Sequence, residues 1–429
     1  MTQENKLSLL LVYGKMDTGG IETLIVRMSN WLVERGHEVT LLIFESGDLV
    51  NLLDKRVKVD VIDINKILFF IPVVARNYLS KYKNTDIDVI YSFGPEACYI
   101  AAYVAKLGFQ KPRPAFLNGI YHPNEFALSG GKSPLDNMHI ELYNNYINDN
   151  SKIFMSEQVR SGNEKILGKA VPEARIWPLP VDGSRFVDIE RKIIPYKIVS
   201  IGRFADFKTY NLYMFDVVKK LYEMGYDVTW DIYGYGPLEK EMRRLMQEKG
   251  LSDRVFMKGS LLYENMSSVL AEAHVFVGVG TAIIEAGFFG IPSVPGIQND
   301  MEAVTYGSLY DLPYYSCGEI LPEGTKTIPV IQEIKRIFDM SESEYEEEAR
   351  MTREYVRPYS IDDIMSNFLE YAVRIKDENG LDAYPNWKFY LYGVNIMLSQ
   401  IRRKLGIKRK IRILASSLNP NERNRKNSA

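Results

Sequence analysis

Short apolar runs and amphipathic stretches alternate along the chain almost from its start. LSLLLVY (7–13), HEVTLLI (37–43), DVIYSF (88–93), PAFLN (114–118) and KIFM (152–155) read as strands. Between them, 21–35, 95–107 and 156–167 carry apolar residues at helical spacing. A second series opens at YKIVSIG (196–202), with further strands predicted over 227–234, 254–259 and 274–279. Its helices are predicted over 209–224, 237–248, 263–272 and 281–289. Strands that are apolar on both faces and alternate with helices predict parallel sheets covered on both sides. PLPVDGSRF (178–186), rich in turn residues, separates the two series as a linker. The expected fold class is therefore α/β, with two doubly wound domains (1–180 and 187–358) facing each other across a hinge. Residues 329–356 read as helical, with SESEYEEEAR as a solvated face, and 359–375 as one more amphipathic helix.

Composition narrows the class. The 429 residues are 46% apolar and 25% charged, which excludes disordered, collagen-like and coiled-coil chains. No run approaches the roughly eighteen apolar residues of a membrane span. The opening apolar run leads into a glycine loop, so it reads as a first strand and not as a signal peptide. Two distant cysteines, Cys98 and Cys317, give neither a disulfide framework nor a metal motif, and a cytoplasmic location is expected.

The net charge of −2 hides an asymmetry. Residues 386–429 hold eleven Lys and Arg against Glu422 alone, a net +10 that leaves −12 on residues 1–385. Val394, Met397, Leu398, Ile401 and Leu405 recur at helical spacing just before the cations. A basic amphipathic helix of this kind fits an anionic lipid surface, where each Lys or Arg contributes about 1 kcal/mol. The other reading is a helix packed on the body, followed by a solvated basic end. Because positive charge is confined to one end, no nucleic-acid partner is expected.

Ligands of open parallel sheets sit beyond the carboxyl ends of the strands, so residues just past those ends are the candidates for chemistry. Gly19 and Gly20 follow the first strand where it enters a helix, and glycines there let backbone amides approach an anion. The spacing is not that of a dinucleotide fingerprint. Arg203 and Lys208, in GRFADFK, supply two cations past the strand of 196–202, the pair expected of a diphosphate clamp. In GVGTAIIEAGFFGIP (278–292), Gly280 and Thr281 open a helix whose amides and hydroxyl suit a phosphate. Glu285 follows within an apolar helix, where a buried acid needs a partner such as a vicinal diol. His122 and, more weakly, Glu125 follow the strand of 114–118. His37, His139 and His274 read as packing or surface residues, and Asp86 and Asp88 precede their strand, which excludes them as a metal-binding pair.

Taken in order, GGIETLIVRMSNWLVERGHEV, GRFADFK, YGYGPLEKEM, RVFMKGS and IIEAGFFGIP resemble the retaining family 4 glycosyltransferases of GT-B fold, over about residues 7–375. The resemblance implies two Rossmann-like domains, the acceptor mainly on the first and a nucleotide-sugar, UDP- or GDP-linked, on the second. It implies that the helix of 359–378 crosses back to the N-terminal domain. By matching position, Arg203 and Lys208 would hold the donor diphosphate, and Glu285 would bind the ribose hydroxyls. Gly19 and Gly20 would approach the phosphates, Lys258 and Gly259 would flank the base, and His122 would contact the donor sugar. The family's earlier acid, eight residues before Glu285, is replaced by Val277. The resemblance thus implies a metal-independent, cofactor-free sugar transfer to a glycan acceptor, lipid-linked on account of the basic tail. The alternatives are a non-catalytic nucleotide-sugar-binding subunit and a sugar-nucleotide epimerase.

Overall fold

The first apolar run folds as β1 (Ser8–Val12), and its side chains alternate between two cores. Leu10 and Val12 point into one, Leu9 and Leu11 into the other, as the two-residue period of a strand requires. Around it the N-terminal domain adds α1 (Gly20–Glu34), β2 (Glu38–Ile43), β3 (Lys58–Val61), α2 (Lys66–Phe69), α3 (Pro72–Leu79) and β4 (Val89–Phe93). It continues through α4 (Gly94–Gly108), β5 (Ala115–Ile120), α5 (Pro134–Tyr146), β6 (Lys152–Phe154), α6 (Glu157–Leu167) and β7 (Arg175–Ile176). The sheet is parallel throughout, in the order β3-β2-β1-β4-β5-β6-β7. These relations come from a computed structural model that describes residues 6–17, 19–110, 113–127, 133–186, 190–262, 265–313, 315–375 and 379–404.

The C-terminal domain repeats the plan with β8 (Lys197–Ile201), α7 (Tyr210–Glu223), β9 (Thr229–Tyr233), α8 (Glu239–Glu248) and β10 (Val255–Gly259). Then come α9 (Met266–Ala271), β11 (Val275–Gly278), α10 (Thr281–Phe289) and β12 (Ser293–Pro295). Its parallel sheet runs β10-β9-β8-β11-β12. A small antiparallel pair, β13 (Val304–Thr305) and β14 (Ile328–Pro329), lies beside it.

The stretch read as one helix over 329–356 is two, α11 (Val330–Phe338) and α12 (Glu342–Val356). Ser341 caps the second through a capping box with Glu344, which restarts the helix on a new axis. The acidic face is not solvated throughout. Glu348 is buried, accepts from Ser308 and Tyr310, and pairs with Arg336 at 2.9 Å.

The chain returns to the first domain in α13 (Ile361–Arg374). Its Ile361, Met365, Phe368 and Leu369 enter the core beneath α1, and Trp31 donates to Asp362 at 2.8 Å. Outgoing and returning chain pair at the crossing: the Val181 amide donates to the Tyr359 carbonyl, and the Ile361 amide to the Val181 carbonyl. A last helix, α14 (Asn386–Lys404), packs on α2 and α5 of the N-terminal domain. Of the basic tail expected over 386–429, residues 405–429 lie outside those described.

Candidate active site

Each sheet reverses its strand order once, between β1 and β4 in the first and between β8 and β11 in the second. Crevices open at such switch points, at the carboxyl ends of the strands. Gly19 and Gly20 lie past β1, Arg203 and Lys208 past β8, and Gly280 and Thr281 past β11. His122 lies past β5, and Lys258 and Gly259 close β10.

The loop after β8 is held by the loop after β9. Gly234 (φ +148°) and Gly236 (φ +154°) lie so close to Gly202 and Phe204 that a Cβ on either would run into backbone. This close approach explains the glycines of YGYGP. It fixes Arg203, which is exposed, and Lys208, which is partly buried, on one rigid turn. Among the described residues Lys208 has neither a hydrogen bond nor a carboxylate partner. Burial, with Arg203 nearby, pushes its ammonium down to about 8. A desolvated cation without a counter-charge is costly, and an anion from outside removes that cost.

The facing side, from the N-terminal domain, is built of acids and hydroxyls. The His122 ring meets Phe207 edge-on at 6.0 Å, so the β5 loop and the Arg203–Lys208 loop touch across the cleft. Burial lowers the His122 pKa, and its Nδ1 accepts from the Asn124 amide at 3.2 Å. Glu125 accepts from the Tyr121 and His122 amides at 2.7 and 3.2 Å. Its carboxylate also crowds Gly94 at the β4 tip, where φ of +84° already favours glycine. Burial raises Glu125 to about 7, against those two amides, so it titrates near neutrality. Tyr91 and Tyr121 share a hydroxyl–hydroxyl bond of 2.7 Å, and Tyr13 donates to Glu22 at 3.2 Å. Glu22 is raised by burial, with Arg203 across the cleft acting in the opposite sense. The sequence singled out Glu125 only weakly and neither Glu22 nor the tyrosines, since nothing in their spacing shows that three strand tips converge.

Other expected positions are occupied differently. The Gly280 amide is not open to a ligand, because it donates to the Cys317 carbonyl at 2.8 Å and so ties the helix start to the loop of 315–319. Thr281 remains partly exposed at the first turn of α10. Glu285 has the partner that a buried acid needs, and it is a protein group: Arg27 of α1 donates to it at 2.9 Å, both side chains being under 10% exposed. Arg27 also donates to the Pro180 carbonyl at the linker. Lys258 is exposed and 3.9 Å from Asp231. Glu319, which the sequence did not mark, is buried beside the Cys317 contact, with one oxygen held by Ser316 and the Cys317 amide and the other without a partner.

Asp88 accepts from the Ser8 amide at the amino end of its strand, away from the cleft. His37, His139 and His274 bond the Leu7 amide, the Tyr392 hydroxyl and the Tyr196 amide respectively, and all three serve packing. Among the described residues no cluster of three or more His, Cys, Asp or Glu has the arrangement to hold a metal.

Comparison with known proteins matches residues 18–185 to the family described as Glycosyltransferase Family 4 and residues 188–296 to Glycosyl transferases group 1. The chain belongs to the family 4, group 1 glycosyltransferases. A putative colanic acid biosynthesis glycosyltransferase, WcaL of Escherichia coli, is 28% identical to this glycosyltransferase over 126 residues. That alignment covers 29% of this chain and only 28% of the relative's own length. Among solved structures, Anabaena Alr3699/HepE in complex with UDP-glucose superposes with a TM-score of 0.62 at 14% identity, over 86% of this chain and all of that one. A glycosyltransferase from Rickettsia africae does so at 0.60 and 15%, over 86% and 98%. At these identities the two structures establish the GT-B fold of this glycosyltransferase and nothing finer.

Proposed function

We propose that the protein is a retaining, metal-independent glycosyltransferase that moves a sugar from a nucleotide-diphosphate donor to a glycan acceptor. The carrying observation is Lys208: a partly buried ammonium without a counter-charge, beside Arg203, at the switch point of the second sheet. A diphosphate supplies the missing anion, and Anabaena HepE, of the same fold, was solved with UDP-glucose. In the reaction the bond between the anomeric carbon and the diphosphate oxygen breaks on the face where the acceptor oxygen attacks. The acceptor's proton passes to the leaving phosphate oxygen. The electron pair stays on the diphosphate, where Arg203 and Lys208 take up its charge as fixed donors. Thr281 adds a hydroxyl at the α10 helix start. Gly19 and Gly20 approach the phosphates from β1, and His122 reaches the sugar. Lys258 and Gly259 flank the base. Glu285 is assigned to the ribose edge, its carboxylate oriented by Arg27.

We read the pathway as surface polysaccharide synthesis, in keeping with the colanic acid assignment of the WcaL relative. The acceptor is read as lipid-linked, because a net +10 tail follows the last helix. The test is transfer from UDP- and GDP-sugars to lipid-linked acceptors. Lys208→Ala and Arg203→Ala abolish most turnover on this reading, and unchanged rates refute the clamp. A second reading, a donor-binding subunit without catalysis, is favoured by Val277 at the place of the family's first acid. Tight donor binding with no transfer across the donor panel selects it.

A further inference from the structure

The last helix has two apolar faces, and the fold uses only one. Phe389, Tyr392, Gly393 and Ile396 point inward. Tyr392 stacks on Tyr99 at 4.0 Å and bonds His139, Phe389 lies 4.5 Å from Tyr103, and Gly393 is seated on Phe70. The opposite row, at three- and four-residue spacing, is Trp387, Tyr390, Leu391, Leu398 and Ile401, each 40–60% exposed. Val73, on the neighbouring α3, is 77% exposed. Scattered single apolar residues on a surface need no explanation, but an aligned row of this size needs a cover. A helix that is apolar all round is ordinarily buried on all sides.

We infer that this outer row is a docking face for an anionic lipid leaflet. Charge selects the occupant. The row runs directly into Arg402, Arg403 and Lys404, and then Lys408, Arg409, Lys410 and Arg412, with Glu422 the single acid from 386 onward. A second copy on this face would bring two such tails together, whereas acidic head groups attract both. Trp387 and Tyr390 at one end and cations at the other are the residue types that settle at a membrane interface. No described helix is long and apolar enough to cross a membrane, so the helix lies along the surface. Because the inner row is cemented to α2 and α5, the N-terminal domain faces the leaflet, and its side of the cleft is the one offered to a membrane-borne acceptor. The inference stands apart from the donor chemistry, since it needs no turnover.

The experiment is co-sedimentation of the full chain with vesicles of phosphatidylcholine alone and of phosphatidylcholine mixed with phosphatidylglycerol, with size-exclusion chromatography alongside. Expected are binding to the mixed vesicles only, loss of binding at high salt, and a blue shift of Trp387 emission that Trp387→Phe removes. Leu398→Glu with Ile401→Glu is expected to lower the bound fraction at least ten-fold while leaving the melting temperature and nucleotide binding unchanged. Three results overturn the inference: no binding to mixed vesicles, equal binding by the double variant, or a dimer in solution that the double variant dissolves.

Discussion

On the C-terminal side of the cleft stand Arg203 and Lys208, the latter with no carboxylate to answer it. Across from them the N-terminal side presents Glu22, Glu125 and the hydroxyls of Tyr13 and Tyr121. Both sides are the tips of parallel strands in similarly wound sheets, yet one is built for an anion and the other for a neutral, hydroxyl-rich molecule. The difference teaches how a duplicated architecture divides labour. The sheet supplies the place, and the charge left unpaired there selects what occupies it.

The comparison can be broken hardest where the sides are joined. Arg27→Ala leaves Glu285 buried without its cation, and unfolding in urea is expected to show a loss of about 3–5 kcal/mol. Replacing both partners by apolar residues (Arg27→Met with Glu285→Leu) should restore most of that stability. A single variant as stable as the parent would mean that the domains are not held together here.

Next comes the cationic side alone. Lys208→Ala is expected to lower kcat by about 10²–10³, the size of effect seen when one fixed donor to a developing charge is removed. Arg203→Ala, at a more exposed position, is expected to cost less. Donor titration by calorimetry and single-turnover rates separate the two contributions.

The acidic side should respond in the other substrate. Glu125→Gln keeps the shape that accepts the Tyr121 and His122 amides while removing the charge, and is expected to change acceptor kcat/KM about ten-fold with donor affinity untouched. An equal change in donor affinity would erase the distinction between the sides. Its carboxyl is raised to about 7 in the folded chain, so ionising it opposes folding, and the stability tied to the neutral form is lost as pH rises through that value. Glu125→Gln should remove that slope from the melting profile.

The smallest effect is a pH dependence of donor binding. Lys208 must be protonated to meet a diphosphate, and in the free protein burial holds it at about 8. Donor affinity is therefore expected to weaken as pH rises through that value. Lys208→Arg, which stays charged, should flatten the curve.

Much of this was legible in the chain itself. Period-two and helical patterns marked both series of elements, because strands covered on two faces must be continuously apolar, as β1 is. Gly19, Arg203, Lys208 and His122 were marked because residues just past such strands are the ones a ligand meets. Local sequence also fixed the +10 tail, and the helical stripe within it gave one of the two apolar faces of α14. What only the tertiary structure decided are pairings between distant positions: Arg27 with Glu285, His122 with Phe207, Glu125 with Gly94, Gly280 with Cys317. Spacing along a chain dictates which side of a helix or strand a residue occupies, but which charge finds a partner is settled by the crossing of whole domains. That is why the protein's most informative feature, a lysine with no anion beside it, becomes visible only once both halves are folded and facing.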